Sequence, residues 1–231
     1  MQQKKIIIDL HMHSPDSNIS GSNVSIFDEQ IMIEKLISNY VSAACFSDHD
    51  KLFLESYKRR LGLIKEMKAN ILLLPGCEIN LISYKGNKIA QAVIVFDPNE
   101  NLEKIEKIIN SNFSHMNRKN HSYKSLCNLL KGFKFMIFPH IGKGKDFLVL
   151  EDLINCQVDG LDSTTFNSSN LKKVSKFLTD VPVVMFSDVH DWKKYPYDNT
   201  KYQTYVTVNG NVSFDTIKEA LNKKLVEIKE Y

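Results

Sequence analysis

The chain has 231 residues, of which 43% are hydrophobic and 25% charged, and its formal net charge at pH 7 is only +3. These are ordinary globular values, and no low-complexity stretch, linker or internal repeat marks a domain boundary. The apolar run near the start is too short for a signal peptide, and no later run approaches a membrane span. We expect a single domain over residues 1–231 that is soluble, cytoplasmic and free of membrane contacts.

Cysteine usage excludes two further classes of protein. The four cysteines are scattered without any C-x-x-C spacing, at Cys45, Cys77, Cys127 and Cys156. This pattern is unlike a disulfide framework or a cysteine zinc site, so we expect reduced and mostly buried thiols.

Strand-like and helix-like segments alternate along the chain. Strands are predicted at 4–10, 41–46, 71–74, 89–96, 133–138, 158–161, 181–186 and 203–208, with a hairpin turn at 84–88. Helices are predicted around Leu36, over 52–67, around Ile105, over 123–130, near Leu150, over 171–178 and after a cap at Ser213. The alternation indicates an α/β fold with parallel strands wrapped by helices.

The first predicted strand ends in a His-x-His pair. Alternate side chains of a strand share one side, so Asp9, His11 and His13 point the same way. Imidazole is the commonest metal-binding side chain, and a buried pair without a partner is costly, so a metal is expected here. Asp9 is predicted to lie behind the ligands rather than among them. A lone His-x-His is a weak signal, so the interpretation depends on the other strands.

Other predicted strands also end in candidate ligands. The set is His11, His13, His49, Glu78, His140, Asp188 and His190. In a barrel these positions meet at the end where active sites lie, and imidazole with carboxylate suits Zn²⁺, Mn²⁺ or Fe²⁺. Asp188 and His190 are two apart and face inward together in an extended segment. His49 is favoured over its neighbour Asp48, with Asp48 or Asp50 orienting a ligand or capping the next helix.

The order of these motifs resembles the PHP family, the polymerase and histidinol phosphatase superfamily of metal-dependent phosphoesterases. The motifs are His-x-His, Ser-Asp-His, Gly-x-Glu, Pro-His and Ser-Asp-x-His, and they span essentially the whole chain. The resemblance implies a distorted (β/α)₇ barrel with two or three divalent metals. It implies three ligand sets: His11, His13, Glu78 and Asp188; His49 and His190 with a residue of the 14–18 loop; and Glu78 with His140.

Two positions depart from the family pattern. Gln91 stands where the family usually has a third-site histidine, and glutamine is a poor ligand for such metals, so that site is expected to be weak or empty. In the 14–18 loop the candidates are Asp16 and Asn18, of which Asp16 is the better donor.

The segments around His11 and His140, and the final helix, are most similar to PHP domains fused to or encoded beside an ATPase. The chain contains no P-loop, so an ATPase partner would be another polypeptide or a segment outside this sequence.

The first hypothesis for function is a metal-dependent phosphoesterase. Two close divalent metals lower the pKa of a bridging water and neutralise phosphate oxygens, which favours in-line attack on phosphorus. The predicted catalytic residues are Asp188, within the metal site, and His140 or His190, either of which is placed to move a proton.

Charge distribution points to the substrate. From Lys107 to Lys145 there is no acidic residue, while eight lysines and arginines occur. This run is either a solvated face or a phosphate-binding surface. Arg118, Lys143 and Lys145 lie closest to predicted ligands and are the predicted substrate-binding residues, which favours a nuclease acting on DNA or RNA.

Two alternatives stay open. A small-molecule phosphomonoesterase, of the histidinol phosphate or nucleotide kind, would be indifferent to nucleic acid and to charge changes at Arg118 or Lys119. An inactive PHP barrel would serve as a scaffold or partner-binding module. The glutamine at position 91 favours this third reading slightly, and the retained ligand types argue against it.

Overall fold

In a computed structural model the chain is described over residues 2–17, 22–25, 28–84, 89–113 and 120–231. The strands are β1 (Gln3–Met12), β2 (Val41–Phe46), β3 (Leu72–Ile82), β4 (Ile89–Phe96), β5 (Phe135–Gly142), β6 (Leu161–Ser163), β7 (Val183–Val184), β8 (Tyr202–Asn209) and β9 (Val226–Glu230). The helices are α1 (Gln30–Ser38), α2 (Leu54–Glu66), α3 (Leu102–Asn112), α4 (Tyr123–Leu129), α5 (Leu150–Leu153), α6 (Ser169–Val174) and α7 (Phe214–Asn222). None of these helices is long and apolar enough to cross a membrane.

All nine strands join one sheet in the order β7-β6-β5-β4-β3-β2-β1-β8-β9. Strands β1, β2 and β3 are parallel, as are β5, β6 and β7. The prediction of parallel strands is wrong for two other pairings, since β4 is antiparallel to β5 and β8 is antiparallel to β1; β8 is also antiparallel to β9. The antiparallel pairing of β3 with β4 agrees with the predicted hairpin. The predicted hairpin accounts for β3 and β4, although residues 85–88 of its turn lie outside the described part of the chain. Strand β9 has no counterpart among the predicted elements.

The segment after β7 nearly closes the sheet into a barrel. Strand β8 pairs with β1 only from Gln3 to Ile8, so the backbone of the last part of β1 can form hydrogen bonds with another segment on that side. There the amide of Asp188 donates to the carbonyl of His11 at 2.8 Å, and the amide of His13 donates to the carbonyl of Val189 at 3.1 Å. Behind this contact, Asp9 accepts from the Ser187 amide at 3.1 Å and from the Tyr195 hydroxyl at 3.1 Å. Asp9 therefore holds the closing segment against β1.

The strands alternate their side chains between the barrel interior and the helices. One buried cluster fills the interior, with Leu10, Cys45, Val93, Phe138 and Phe186 among its members. Two further clusters lie between the sheet and the helices, and they include residues of α1 and α3 respectively. Because the interior is filled with apolar side chains, polar groups gather only at the strand ends, which positions the site described next.

Candidate metal centre

The predicted ligands meet at the carboxyl ends of the strands. Strands β1, β3 and β5 carry or directly precede His11, His13, Glu78 and His140, while His49 follows β2 and pairs in a parallel bridge with Glu78. Asp188 and His190 come from the segment that follows β7. We use the term histidine cluster for His11, His13, His49, Glu78, His140, Asp162, Asp188 and His190.

Four side chains converge at the centre of the histidine cluster. The Nε2 atoms of His11 and His13 are 3.3 Å apart, and each lies 3.2 Å from Oδ1 of Asp188. Oε2 of Glu78 lies 3.5 Å from Nε2 of His11 and 3.4 Å from Nε2 of His13. The Nε2 atoms of His11 and His13 thus both lie close to one carboxylate oxygen of Glu78 and to one of Asp188, and His11, His13 and Asp188 are near enough to share an ion.

The second ligand set lies on the other side of His13. Its ring stacks on His190 with centroids 4.1 Å apart and on His49 at 4.5 Å. Ligand atoms of these three histidines lie within 4.8 Å of one another, which is close enough for a shared ion. Nδ1 of His49 is also 3.0 Å from Oε2 of Glu78, so this carboxylate faces both ligand sets.

A third group contains a residue that the sequence analysis missed. Nε2 of His140 lies 3.3 Å from Oε1 of Glu78 and 3.8 Å from Oδ2 of Asp162, which is fully buried. Strand β6 runs from Leu161 to Ser163, later than the predicted strand 158–161, so Asp162 was placed just beyond its end. An aspartate directly after an apolar strand was the available signal. Gln91 lines the cleft above this group.

Backbone geometry at Asp188 differs from the predicted extended segment. Its φ is 51°, in the left-handed region that an aspartate tolerates better than most residues. Asp188 nevertheless reaches His11 and His13, and Nε2 of His190 lies 3.5 Å from its Oδ1. A turn, rather than strand alternation, brings these two side chains to the cluster.

Burial and charge set the protonation states of the cluster. Burial lowers the pKa of His13 to about 3 and that of His140 to about 4. Burial opposes ionisation of Glu78 and Asp188 too, but His49 and His11 next to Glu78, and His11 and Lys143 next to Asp188, hold both carboxyl pKa values well below the usual range. Neutral imidazoles and ionised carboxylates are the forms that bind metals.

His11 behaves differently from His13 and His140. Burial disfavours its charged form, yet Asp188 and Glu78 more than offset that effect and raise its pKa to about 10. The protonated imidazole thus lies where a cation is most favoured by the surrounding carboxylates.

Several buried atoms of the cluster have no hydrogen-bond partner among the described residues. In the first two ligand sets they are Nδ1 of His13 and Oε2 of Glu78, and in the third group they are Nε2 of His140 and Oδ1 of Asp162. Oε2 of Glu78 and Nε2 of His140 make the close contacts given above without hydrogen-bond geometry. A metal bound to the first two ligand sets would offset the free-energy cost of burying their atoms without hydrogen bonds. Since the donors are imidazole nitrogens and carboxylate oxygens, they fit Mn²⁺, Zn²⁺ or Fe²⁺.

Asp16, a predicted ligand, contacts other partners. Its carboxylate pairs with the guanidinium of Arg60, lies 3.6 Å from Arg59 and lies 3.3 Å from the Ser14 hydroxyl oxygen. These contacts lie behind His13, and its ligand role stays a prediction that the described contacts do not support.

The three predicted substrate-binding residues have different positions. Arg118 lies outside the described residues. Lys145 is exposed on the loop after β5. Lys143 is only 5% exposed, and its Nζ lies 3.1 Å from Asp162 and 3.3 Å from Asp188. Its charge is therefore directed into the cluster.

The basic run is spread over distant parts of the fold. Lys134 precedes β5, at the opposite end of this strand from His140, and it pairs with Asp97 at 3.0 Å and with Asp215. The described residues of the run thus do not share one surface beside the cluster.

A polar cleft of about 390 Å³ opens above the histidine cluster. Its lining comprises His49, Glu78, Gln91, His140, Lys143, Gly144, Asp146, Thr164, Asp188, His190 and Asn199. His190 is about one third exposed there, whereas His140 is buried. Among the described residues, no aromatic side chain other than histidine lines this cleft.

The chain matches no protein-family model and no curated protein sequence. Solved structures do resemble it. The lesion-specific endonuclease PfuEndoQ from Pyrococcus furiosus aligns with a TM-score of 0.65 and 14% identity, over 97% of this chain and 58% of its own. PsfC from Pseudomonas syringae aligns with a TM-score of 0.63 and 15% identity, over 100% of this chain and 93% of its own.

A candidate metal-dependent phosphoesterase from Bifidobacterium adolescentis aligns with a TM-score of 0.55 and 14% identity, over 93% of this chain and 95% of its own. At these identities the similarity shows the fold. The chain has a mixed α/β, nearly closed barrel like those of these structures, which confirms the predicted fold class. It spans little more than half the length of the endonuclease.

Proposed function

We propose that this protein is a metal-dependent hydrolase of phosphate esters, and that its substrates are phosphodiesters of nucleic acid. The observation that carries the proposal is that the Nε2 atoms of His11 and His13 lie 3.2–3.5 Å from each other and from carboxylate oxygens of both Glu78 and Asp188. Buried and partly unpaired ligand atoms of this kind have little use in an inert barrel, which argues against the scaffold alternative.

Two ligand sets would hold the metals. One is the central set of four, and the other consists of His13, His49 and His190, with Glu78 facing both. Divalent metals there would lower the pKa of water and neutralise phosphate oxygens. Mn²⁺, Zn²⁺ and Fe²⁺ all suit the donors.

The chain's own residues supply orientation and proton transfer. Asp188 ligates from a backbone that is fixed by its hydrogen bond to His11. The ring of His190 reaches both the cleft and Asp188, so one of its nitrogens would bind the second metal and the other is better placed than the buried His140 to deliver a proton to a leaving oxygen. Asn199 lines the cleft and donates one amide N–H to the Asp188 carbonyl, so its second N–H can donate to an oxygen of a bound phosphate ester.

Nucleic acid is favoured as substrate by the similarity to PfuEndoQ, which is a lesion-specific endonuclease. The cleft opens at the barrel end, where a polymer can pass across it. The ATPase partner that the sequence resemblance implies is part of this proposal as a second polypeptide, and it gains no support from the structural similarities.

A compact phosphomonoester is the second candidate. The cleft lining, as described, offers no aromatic ring for base stacking beyond histidine, and its one lysine is already paired with carboxylates. A small substrate that is held mainly by metals would need neither feature.

The test combines an end-labelled single-stranded oligonucleotide with bis(p-nitrophenyl) phosphate and p-nitrophenyl phosphate, in the presence of Mn²⁺. We expect wild type to cleave the oligonucleotide and the diester, and His11→Ala, Asp188→Ala and EDTA each to abolish cleavage. His121→Ala, which changes a histidine that packs on Phe113 away from the cluster, is the matched control and should remain active. Turnover of the monoester alone would favour the second candidate, and no turnover of any substrate would contradict the proposal.

A further inference from the structure

Lys143 lies inside the histidine cluster rather than at its rim. Its Nζ is 3.1 Å from Oδ2 of Asp162, 3.3 Å from Oδ2 of Asp188 and 2.9 Å from Nδ1 of His11. The side chain is almost fully buried, on a loop whose next two residues are exposed. A buried ammonium group held by two carboxylates is an integral charge of the site.

This placement conflicts with a third metal. The remaining ligand group consists of Glu78 Oε1, His140 Nε2 and Asp162 Oδ2, and the ammonium of Lys143 already contacts the Asp162 oxygen. An ion bound to that oxygen would lie within a few ångströms of Nζ, where two positive charges repel strongly at low dielectric. The ammonium and a third metal therefore exclude one another.

His11 supports the same conclusion. Its Nε2 faces His13 and Asp188 at the centre, so its Nδ1 is directed at Asp162, 3.1 Å away. When Nε2 ligates a metal, Nδ1 carries the proton and donates it to Oδ2 of Asp162, so the Lys143 ammonium, 2.9 Å from Nδ1, is held by that carboxylate oxygen and not by the imidazole. Oδ2 of Asp162 thus orients His11 and neutralises Lys143. A divalent ion at the other oxygen, Oδ1, would share this carboxylate with the ammonium and be repelled by it.

We propose that Lys143 is a built-in cation that replaces the third metal, with Asp162 as its counter-ion, so that the site holds two divalent ions. The inference rests on the proposed function, because it assumes that the other two ligand sets bind metal. On this proposal Lys143, on the loop after β5, limits the number of bound metals and does not contact the phosphate of the substrate.

The test counts metals in the purified full chain after saturation with Mn²⁺ and removal of free ion by gel filtration. We expect about two Mn²⁺ per chain in wild type, and about three in Lys143→Met, which keeps the length of the side chain and removes its charge. Lys145→Met, on the exposed part of the same loop, is the matched control and should hold two. Lys143→Arg, which keeps the charge, should also hold two.

The outcomes separate the two proposals. Wild type without bound Mn²⁺ contradicts the proposed function, and the inference falls with it. Wild type with three ions, or a folded Lys143→Met that still holds two, contradicts only the role of Lys143. If Lys143→Met does not fold, the anomalous scattering of Mn²⁺ in wild-type crystals replaces the metal count. We expect two anomalous peaks, neither of them in contact with Asp162. A peak bound to Asp162 would overturn the inference.

Discussion

Two buried polar networks lie next to each other in this protein, and they are built on opposite principles. The histidine cluster gathers imidazoles and carboxylates, and several of its atoms have no hydrogen-bond partner among the described residues. The second network, which we name the arginine network, consists of Ser14, Asp16, Glu29, Asp48, Arg59 and Arg60. The two meet in the chain at His13 and Ser14, which are consecutive residues.

The arginine network pairs most of its acids internally. Arg60, which is buried, donates from Nε to Glu29 at 2.8 Å and from Nη2 to the Ser14 hydroxyl at 2.7 Å, and it also pairs with Asp16. The Ser14 amide and hydroxyl both donate to Asp48, at 2.8 Å and 2.5 Å. A fixed guanidinium satisfies these groups without any added ion.

The difference shows how ligand sites and structural ion pairs are told apart. Where a buried carboxylate has an arginine, it needs nothing further. Where it faces histidines whose pKa is lowered, as Glu78 faces His13 and His140, a divalent cation completes the charge balance. Lys143 is the one described residue that brings internal cationic pairing into the histidine cluster.

The largest effect is expected from Arg60→Met. This change removes the buried cation that pairs with Glu29 and Asp16 and leaves Glu29 only the partly exposed Arg59, and we expect the free energy of unfolding to fall by about 3–5 kcal/mol. Urea unfolding followed by circular dichroism measures it. Arg59→Met is the control: its side chain is about one third exposed and shares Glu29, so the loss should be about 1 kcal/mol or less. Equal losses in the two variants would show that burial of Arg60 is not what stabilises the network.

A smaller effect is expected from Asp16→Asn. Removing the charge weakens its hydrogen bonds to Arg60 and Ser14, and we expect a loss of about 1–2 kcal/mol in the free energy of unfolding. Because Asp16 belongs to the arginine network, the Asp16→Asn variant should bind as many Mn²⁺ ions per chain as wild type. His190→Asn, by contrast, should lose one ion. A loss of metal in Asp16→Asn would instead establish Asp16 as a ligand and break the division between the networks.

The smallest effect is expected from Lys134→Gln. Its side chain is 42% exposed and pairs with Asp97 and Asp215 away from the histidine cluster, so unfolding should change by about 1 kcal/mol or less. Cleavage of an oligonucleotide should be unchanged over a range of salt concentrations. Weaker cleavage with a reduced salt dependence would show that the basic run does contact nucleic acid.

Much of the fold follows from local sequence pattern. Strand β2 lies at the predicted residues 41–46, and Ser213 caps α7 by accepting from the Thr216 amide, because short apolar runs and capping side chains act over a few residues. The direction in which two strands pair depends on contacts between residues far apart in sequence. Local patterns therefore did not predict that β8 runs antiparallel to β1, or that β9 pairs with β8.

For the site, the sequence by itself predicted the candidate ligands that stand in recognisable motifs, and the structure brings their side chains together. His11 and His13 are two apart on one strand, and strand geometry alone places them on one side. The fold class follows from the same pattern of elements and motifs.

Only the tertiary structure decided the roles of Asp162, Lys143 and Asp16. Asp162 is one of 27 acidic residues, and nothing near it in sequence marks it as a partner of His11, which is 151 residues away. In the sequence, Lys143 is one member of a basic run. In the structure, the loop after β5 directs its ammonium group toward Asp162 and Asp188. These ion pairs form between residues that are far apart in sequence and are brought together when the strands pack. A pattern that spans a few residues cannot predict which distant residues will meet.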